Sequence, residues 1–170
     1  SDGKYPSTHK KLHNVYGHNM AKATYNGLKK NSHKRPYVIT RAAYAGTQKY
    51  STVWTGDNQS LWPHLQMMIP QLCNLGMSGF TFAGTDIGGF GADATAEMLT
   101  RWIEAALFSP LYRNHASMGT REQEPWVFGE PTLSIYRKYL KLRYRFIPFL
   151  YDLCYKETKN GLGIMRPLVL

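Results

Sequence analysis

The period of the apolar positions changes several times along this chain, and each change predicts an element. Residues 1–17 are polar and broken by Gly3, Pro6 and Gly17, which reads as a loop leading into a helix. From His18 to Lys30 the apolar residues Met20, Ala21, Tyr25 and Leu28 fall on one side of a helix. A loop over 31–36 precedes a short apolar run, Tyr37 to Arg41, that predicts a buried strand. Leu61, Leu65, Met68, Ile69 and Leu72 return to helical spacing between Leu61 and Leu75. In that helix Pro63 is tolerable in the first turn, Pro70 should bend the axis and Gly76 suits the stop. Ser78–Ala83 predicts a second strand and 84–91 a glycine-rich loop. Ala94–Leu107 predicts a helix, capped by Asp93, with Met98, Trp102, Ile103 and Ala106 inward. Phe108–His115 predicts a third strand despite Pro110, and 116–131 a loop. A long helix follows from Thr132 to Lys159, kinked at Pro148 and closed by Asn160-Gly161. Ile164–Leu170 predicts a fourth strand.

Strands alternating with helices imply right-handed βα units in a parallel sheet, an α/β fold. Polar residues sit where successive strands end: Arg41 after the first, Asp86 after the second, Arg113, Asn114 and His115 after the third. That is the layout of the active face of a (β/α)8 TIM barrel, and four βα units are half of eight. The expected architecture is therefore the second half of such a barrel, with residues 1–170 a partial catalytic domain cut from a longer chain. The loop from Arg41 to Asn58 gathers an arginine, an indole (Trp54) and a carboxylate (Asp57). A carboxylate beside a large apolar ring can have its pKa raised, because burial disfavours the charged form. A general acid working near neutral pH needs such a group. The alternative is structural: Asp57 as the cap of the following helix.

Composition narrows the partners. Aromatic content is generous and the chain of 170 residues is long enough for a real core. The net charge is +10, with Lys and Arg concentrated between Lys4 and Arg35 and along the late helix at Arg137, Lys138, Lys141, Arg143 and Arg145. No basic-aromatic module of a nucleic-acid binder accompanies them, so they read as solvated faces. Neither a membrane-spanning run nor a signal peptide is visible. The two cysteines, Cys73 and Cys154, have no CxxC spacing and read as reduced, which suits a cytoplasmic protein. The six histidines do not group at metal spacings, and the glycines of 84–91 do not match GxGxxG. No metal or cofactor is expected.

Four segments in order resemble glycoside hydrolase family 31, the retaining α-glucosidases and their relatives. They are His13-Asn14-Val15-Tyr16-Gly17, the stretch from Arg41 to Trp54-Thr-Gly-Asp57-Asn58, Phe82-Ala-Gly-Thr-Asp86-Ile-Gly-Gly-Phe90, and Phe108-Ser-Pro-Leu-Tyr-Arg113-Asn114-His115. Gln123-Glu-Pro-Trp126 joins them. The resemblance implies hydrolysis of terminal α-linked glucose with retention, on an α-glucoside oligosaccharide. It implies that Asp57 is the general acid/base, that Arg41 and Trp54 wall the subsite of the cleaved sugar, that Asp86 and His115 bind its hydroxyls, and that Phe90 is an apolar wall. In this family the nucleophile is an aspartate in a Trp-x-Asp-Met-Asn-Glu-type motif upstream of His-Asn-x-Tyr-Gly. This sequence has no such motif, so the chain alone is expected to be inactive and to pair with the other half-barrel or with itself. An α-xylosidase or transglucosylase of the same family, or a non-catalytic carbohydrate-binding fragment, are the competing readings. Each site residue also has a structural alternative: an ion-pair partner for Arg41, a turn residue for Asp86, core positions for Trp54, Phe90 and His115.

Overall fold

The structure, a computed structural model, describes residues 6–170, so part of the loop expected at the start lies outside the described residues. The chain divides after Trp54 into two compact units.

In the first unit, helix α1 (His9–Asn31) begins well before the expected His18. Thr8 supplies the reason: its hydroxyl accepts a hydrogen bond from the Lys11 amide and takes one of the orphan donors of the first turn. Gly17 does not break the helix because it serves packing. A Cβ there would lie 2.6 Å from both Cβ and the carbonyl oxygen of Ala42. At the next residue, His18 Nδ1 lies 3.0 Å from the fully buried Thr47 hydroxyl, whose oxygen accepts from the Tyr44 amide at 3.0 Å. The rings of His18 and Tyr25 meet Tyr50 edge-on. The strand expected over 37–41 is reduced to one parallel bridge between Ile39 and Thr52, through Thr40 N–H to Thr52 O and Thr52 N–H to Val38 O. Strand β1 (Val53–Trp54) ends the unit.

The second unit holds three helices. In α2 (Trp62–Met77) Met68, Leu72 and Gly76 form the buried stripe, whereas Leu61 and Ile69 stay exposed. Gly76 is thus not the stop. It lies inside the helix, where a Cβ would collide with the Met165 carbonyl, and the chain leaves through Ser78 and a left-handed Gly79. Strands β2 (Ala83–Gly84) and β3 (Asp86–Ile87) follow, two residues each. Helix α3 (Ala96–Ala105) is capped by Thr95, which accepts from the Met98 amide at 3.1 Å; Asp93 instead accepts from the Arg121 amide at 2.7 Å. Met98, Leu99, Trp102 and Ile103 make its buried face, and the Trp102 indole N–H donates to the buried Thr85 hydroxyl at 2.9 Å.

Strand β4 (Arg113–Asn114) is the ordered remnant of the strand expected over 108–115, since Ala106–Phe108 turns as a 3-10 helix. It pairs in parallel with β3, Asp86 facing Arg113 and Ile87 facing Asn114. Helix α4 (Thr132–Asn160) runs through Pro148 and closes on a left-handed Gly161, whose N–H reaches Glu157 O. Its Arg143 is buried, and among the described residues no carboxylate pairs with it. The guanidinium instead donates to the carbonyls of Leu107, Ser109 and Pro110 at 2.6–2.8 Å and lies over the Tyr112 ring, fastening the segment that feeds β4 to the helix. Residues 164–170 form bends and a turn rather than a fourth strand, with Leu168 and Val169 in solvent. A strand exists only where another chain segment takes up its hydrogen bonds, and among the described residues none does so there.

Candidate active site

The parallel register of β3 and β4 sets the centre of the site. Asp86 and Arg113 are cross-strand neighbours, and the Arg113 Nη2 donates to Asp86 Oδ1 at 2.5 Å. Asp86 is wholly buried, and its second oxygen, Oδ2, has no hydrogen-bond partner among the described residues. Burial pushes its carboxyl above the ordinary range. The hydrogen bond and charge of Arg113 and the charge of His115 pull the other way, and Asp57 adds to the rise. Asp86 therefore feels Arg113, His115 and Asp57 together.

Asp57 reaches this neighbourhood on a turn. Gly56 adopts a left-handed conformation, the Asn58 amide bonds Gly56 O at 2.9 Å, and the Thr55 hydroxyl bonds the buried Asn58 side chain. The Asn58 carbonyl then accepts from the amides of Phe90 at 2.6 Å and Gly91 at 3.1 Å, and Gln59 bridges to Gly91 in parallel. The turn is thereby tied to the loop after β3. Asp57 itself is exposed, and the N-cap position of α2 belongs to Leu61, so the capping alternative is not realised.

The loop after β3 needs its glycines. Gly88 and Gly89 both have φ of 89°, and a Cβ on Gly89 would strike the Gln59–Ser60 backbone. This tight passage delivers Phe90, whose ring lies 5.3 Å from that of His115 at an interplanar angle of 30°. The Ser117 amide bonds Phe90 O at 2.8 Å, so the chain just beyond His115 is linked to the same wall.

Of the six residues expected at the site, Asp57, Asp86, Phe90 and His115 are thus brought together within the second unit. Arg41, exposed, and Trp54, half-buried in β1, are carried by the first unit. Two contributors were not singled out by the sequence. Arg113 was visible only as one of several polar residues ending a strand, and its pairing with Asp86 depends on a register that no single-strand pattern contains. Asn58 was visible only as the neighbour of Asp57, although its carbonyl is what joins the two loops. Among the described residues there is no cluster of three or more His, Cys, Asp or Glu able to hold a metal, and no helix long and apolar enough to cross a membrane.

Comparison with known proteins identifies the family. Residues 1–153 match the family model of the Glycosyl hydrolases family 31 TIM-barrel domain. Alpha-glucosidase 2 of Bacillus thermoamyloliquefaciens is 51% identical over 164 residues, covering 96% of this chain and 21% of that protein. The chain thus spans about a fifth of the length of the curated relatives it matches. Among solved structures, a family 31 alpha-glucosidase from Bacteroides thetaiotaomicron superposes with a TM-score of 0.89 at 41% identity, over 98% of this chain and 29% of that one. A Flavobacterium johnsoniae dextranase of the same family, complexed with glucose, gives 0.87 at 38% identity over 95% and 21%.

Proposed function

Because this chain belongs to glycosyl hydrolase family 31, as part of its TIM-barrel domain, we propose that it carries the acid/base half of a retaining α-glucosidase site. The observation that supports this reading is the meeting of Asp57, Asp86, Arg113, His115 and Phe90 around one pair of parallel strands. Asp57, solvent-accessible on its turn, protonates the leaving glycosidic oxygen and later takes a proton from the attacking water. Asp86, held by Arg113, accepts hydrogen bonds from sugar hydroxyls through Oδ2, and His115 adds a donor beside it. Phe90 offers a flat apolar face to the C–H face of the pyranose. Retention needs a second carboxyl roughly 5–5.5 Å from the acid, as the nucleophile at the anomeric carbon. The chain has no Trp-x-Asp-Met-Asn-Glu-type motif, so in this reading the nucleophile comes from the other half of the barrel, residues 1–170 being the second half. A cytoplasmic setting belongs to the same reading and rests on the sparse, widely separated cysteines. A second reading, cleavage of dextran in place of terminal glucose release, rests on the 38% identity to the Flavobacterium johnsoniae dextranase.

The test uses the full natural polypeptide that contains this chain, with p-nitrophenyl α-D-glucoside as substrate. Hydrolysis should release α-glucose first, seen by NMR before mutarotation. Asp57→Asn should lower kcat by roughly 10²–10⁴-fold, the usual contribution of a positioned acid. Release of the β-anomer, or an Asp57→Asn variant of unchanged rate, would overturn the assignment.

A further inference from the structure

The motif Gln123-Glu-Pro-Trp126 has no part in the roles above, yet the side chain of Gln123 is 95% buried between the two segments that carry them (5% exposed). Its Nε2 donates to the Gly89 carbonyl at 2.9 Å, one residue before Phe90. Its own backbone carbonyl accepts from Asn114 Nδ2 at 2.8 Å, one residue before His115. Asn114 Nδ2 also lies 3.4 Å from the Tyr136 hydroxyl on α4, and Asn114 faces Ile87 across the strand pair. Gln123 Oε1 is buried with no hydrogen-bond partner among the described residues and lies against Gly88, where a Cβ would collide with it. Burying an amide group with one end unpaired costs stability, so its retention calls for a reason. Here the satisfied end holds the chain at the base of one wall of the site, and the main chain of the same residue holds the base of the other.

We propose that Gln123, with Asn114, is a positioning residue that sets the separation of Phe90 and His115 and so fixes the width of the sugar-binding hollow. This deepens the glycosidase reading and rests on it. Gln123 does not touch the sugar in this scheme. It acts through the Gly88–Gly89 turn, which has no side chains to resist displacement, and through the Asn114–His115 peptide. Loss of the Nε2 donor frees Gly89 O and leaves Phe90 with its amide bond to Asn58 O, the Ser117 amide on its carbonyl and its ring contact with His115.

Two variants in the full natural polypeptide test this, assayed with p-nitrophenyl α-D-glucoside. Gln123→Met keeps the volume and removes the donor. Gln123→Glu keeps the shape and donates only when protonated, and burial raises the pKa of a carboxyl placed there. At pH 7 both should lose about 10–100-fold in kcat/KM, the scale of a misplaced binding group. Most of the loss should fall on KM, because both walls meet the sugar before any bond breaks. As the pH falls towards about 5, the ratio of Gln123→Glu to wild type should recover several-fold while Gln123→Met stays flat. A purely structural glutamine would lower the melting midpoint without that pH-dependent rescue. Wild-type kcat/KM in both variants at pH 7, with Asp57→Asn still impaired, overturns the clamp and leaves the glycosidase reading intact. Unchanged activity in Asp57→Asn as well overturns that reading itself. If Gln123→Met does not fold, Gln123→Glu decides alone, and its failure to fold at pH 5, where the donor is restored, also counts against the clamp.

Discussion

Asp86 combines features that pull its ionisation in opposite directions. It is fully buried, which favours the neutral acid, and it is paired with Arg113, which favours the carboxylate; burial outweighs the guanidinium, and the folded pKa is raised from 3.8. A carboxyl whose pKa is higher folded than unfolded binds more protons in the native state across the window between the two values. Its contribution to stability is complete below the unfolded value and is lost as pH rises through the folded one. The charged groups facing it are Arg113, His115 and Asp57. In urea unfolding, wild type should therefore lose ground to Asp86→Asn as pH rises from about 4 towards neutrality. A difference that is flat across that window, or that moves in favour of wild type, would refute the balance assigned here. A carboxyl kept here despite the cost of burial is reasonable for a group that must meet the hydrogen bonds of a ligand. The sequence pointed to Asp86 and His115 through short motifs. It could not point to Arg113 as their partner, because parallel register is a property of two segments that lie 27 residues apart.

At the scale of elements, helices were more legible than strands. The inner faces of α3 and α4 follow from residues within one turn of each other, and their observed limits lie close to the expected ones. The strands expected over 37–41, 78–83, 108–115 and 164–170 shrink to a bridge, to pairs of residues, or to bends, since extension depends on partners elsewhere in the chain. Glycine misled twice in the same way. Gly17 looked like a loop and Gly76 like a stop, yet both lie inside helices and mark close approach to another backbone. That difference from an ordinary helical glycine can be measured. Gly27, in α1, has nothing within 4 Å of a would-be Cβ, so Gly27→Ala should raise stability by about 0.5–1 kcal/mol through helix propensity. Gly76→Ala brings the same propensity gain but drives a methyl into the Met165 carbonyl, and should cost about 1–3 kcal/mol from overpacking. Thermal unfolding of the two variants should shift in opposite directions; equal signs would show that the contact with residue 165 yields without cost.

At the scale of the whole molecule, two surface properties compete. Among the described residues the pair β3–β4 has no third strand beside it, although parallel strands are ordinarily enclosed by neighbours and by helices on both faces. Large apolar side chains also stand in solvent: Trp126 is 67% exposed, Tyr144 68%, Phe149 53% and Trp62 49%. Both features favour association, through strand pairing and through apolar contact. The net charge of +10 opposes it, since copies of the chain repel one another. Salt decides between them, because the repulsion is long-ranged and screened while the apolar contact is neither. The Debye length falls from about 30 Å at 0.01 M to about 8 Å at 0.15 M ionic strength. The isolated chain should therefore run at 19.4 kDa by light scattering at low salt and at a higher mass at physiological salt, with no activity on p-nitrophenyl α-D-glucoside in either state. A mass of 19.4 kDa throughout would mean that these apolar surfaces and the strand edge do not drive assembly. A mass that falls as salt rises would mean that ion pairs between copies, rather than apolar burial, hold the assembly together.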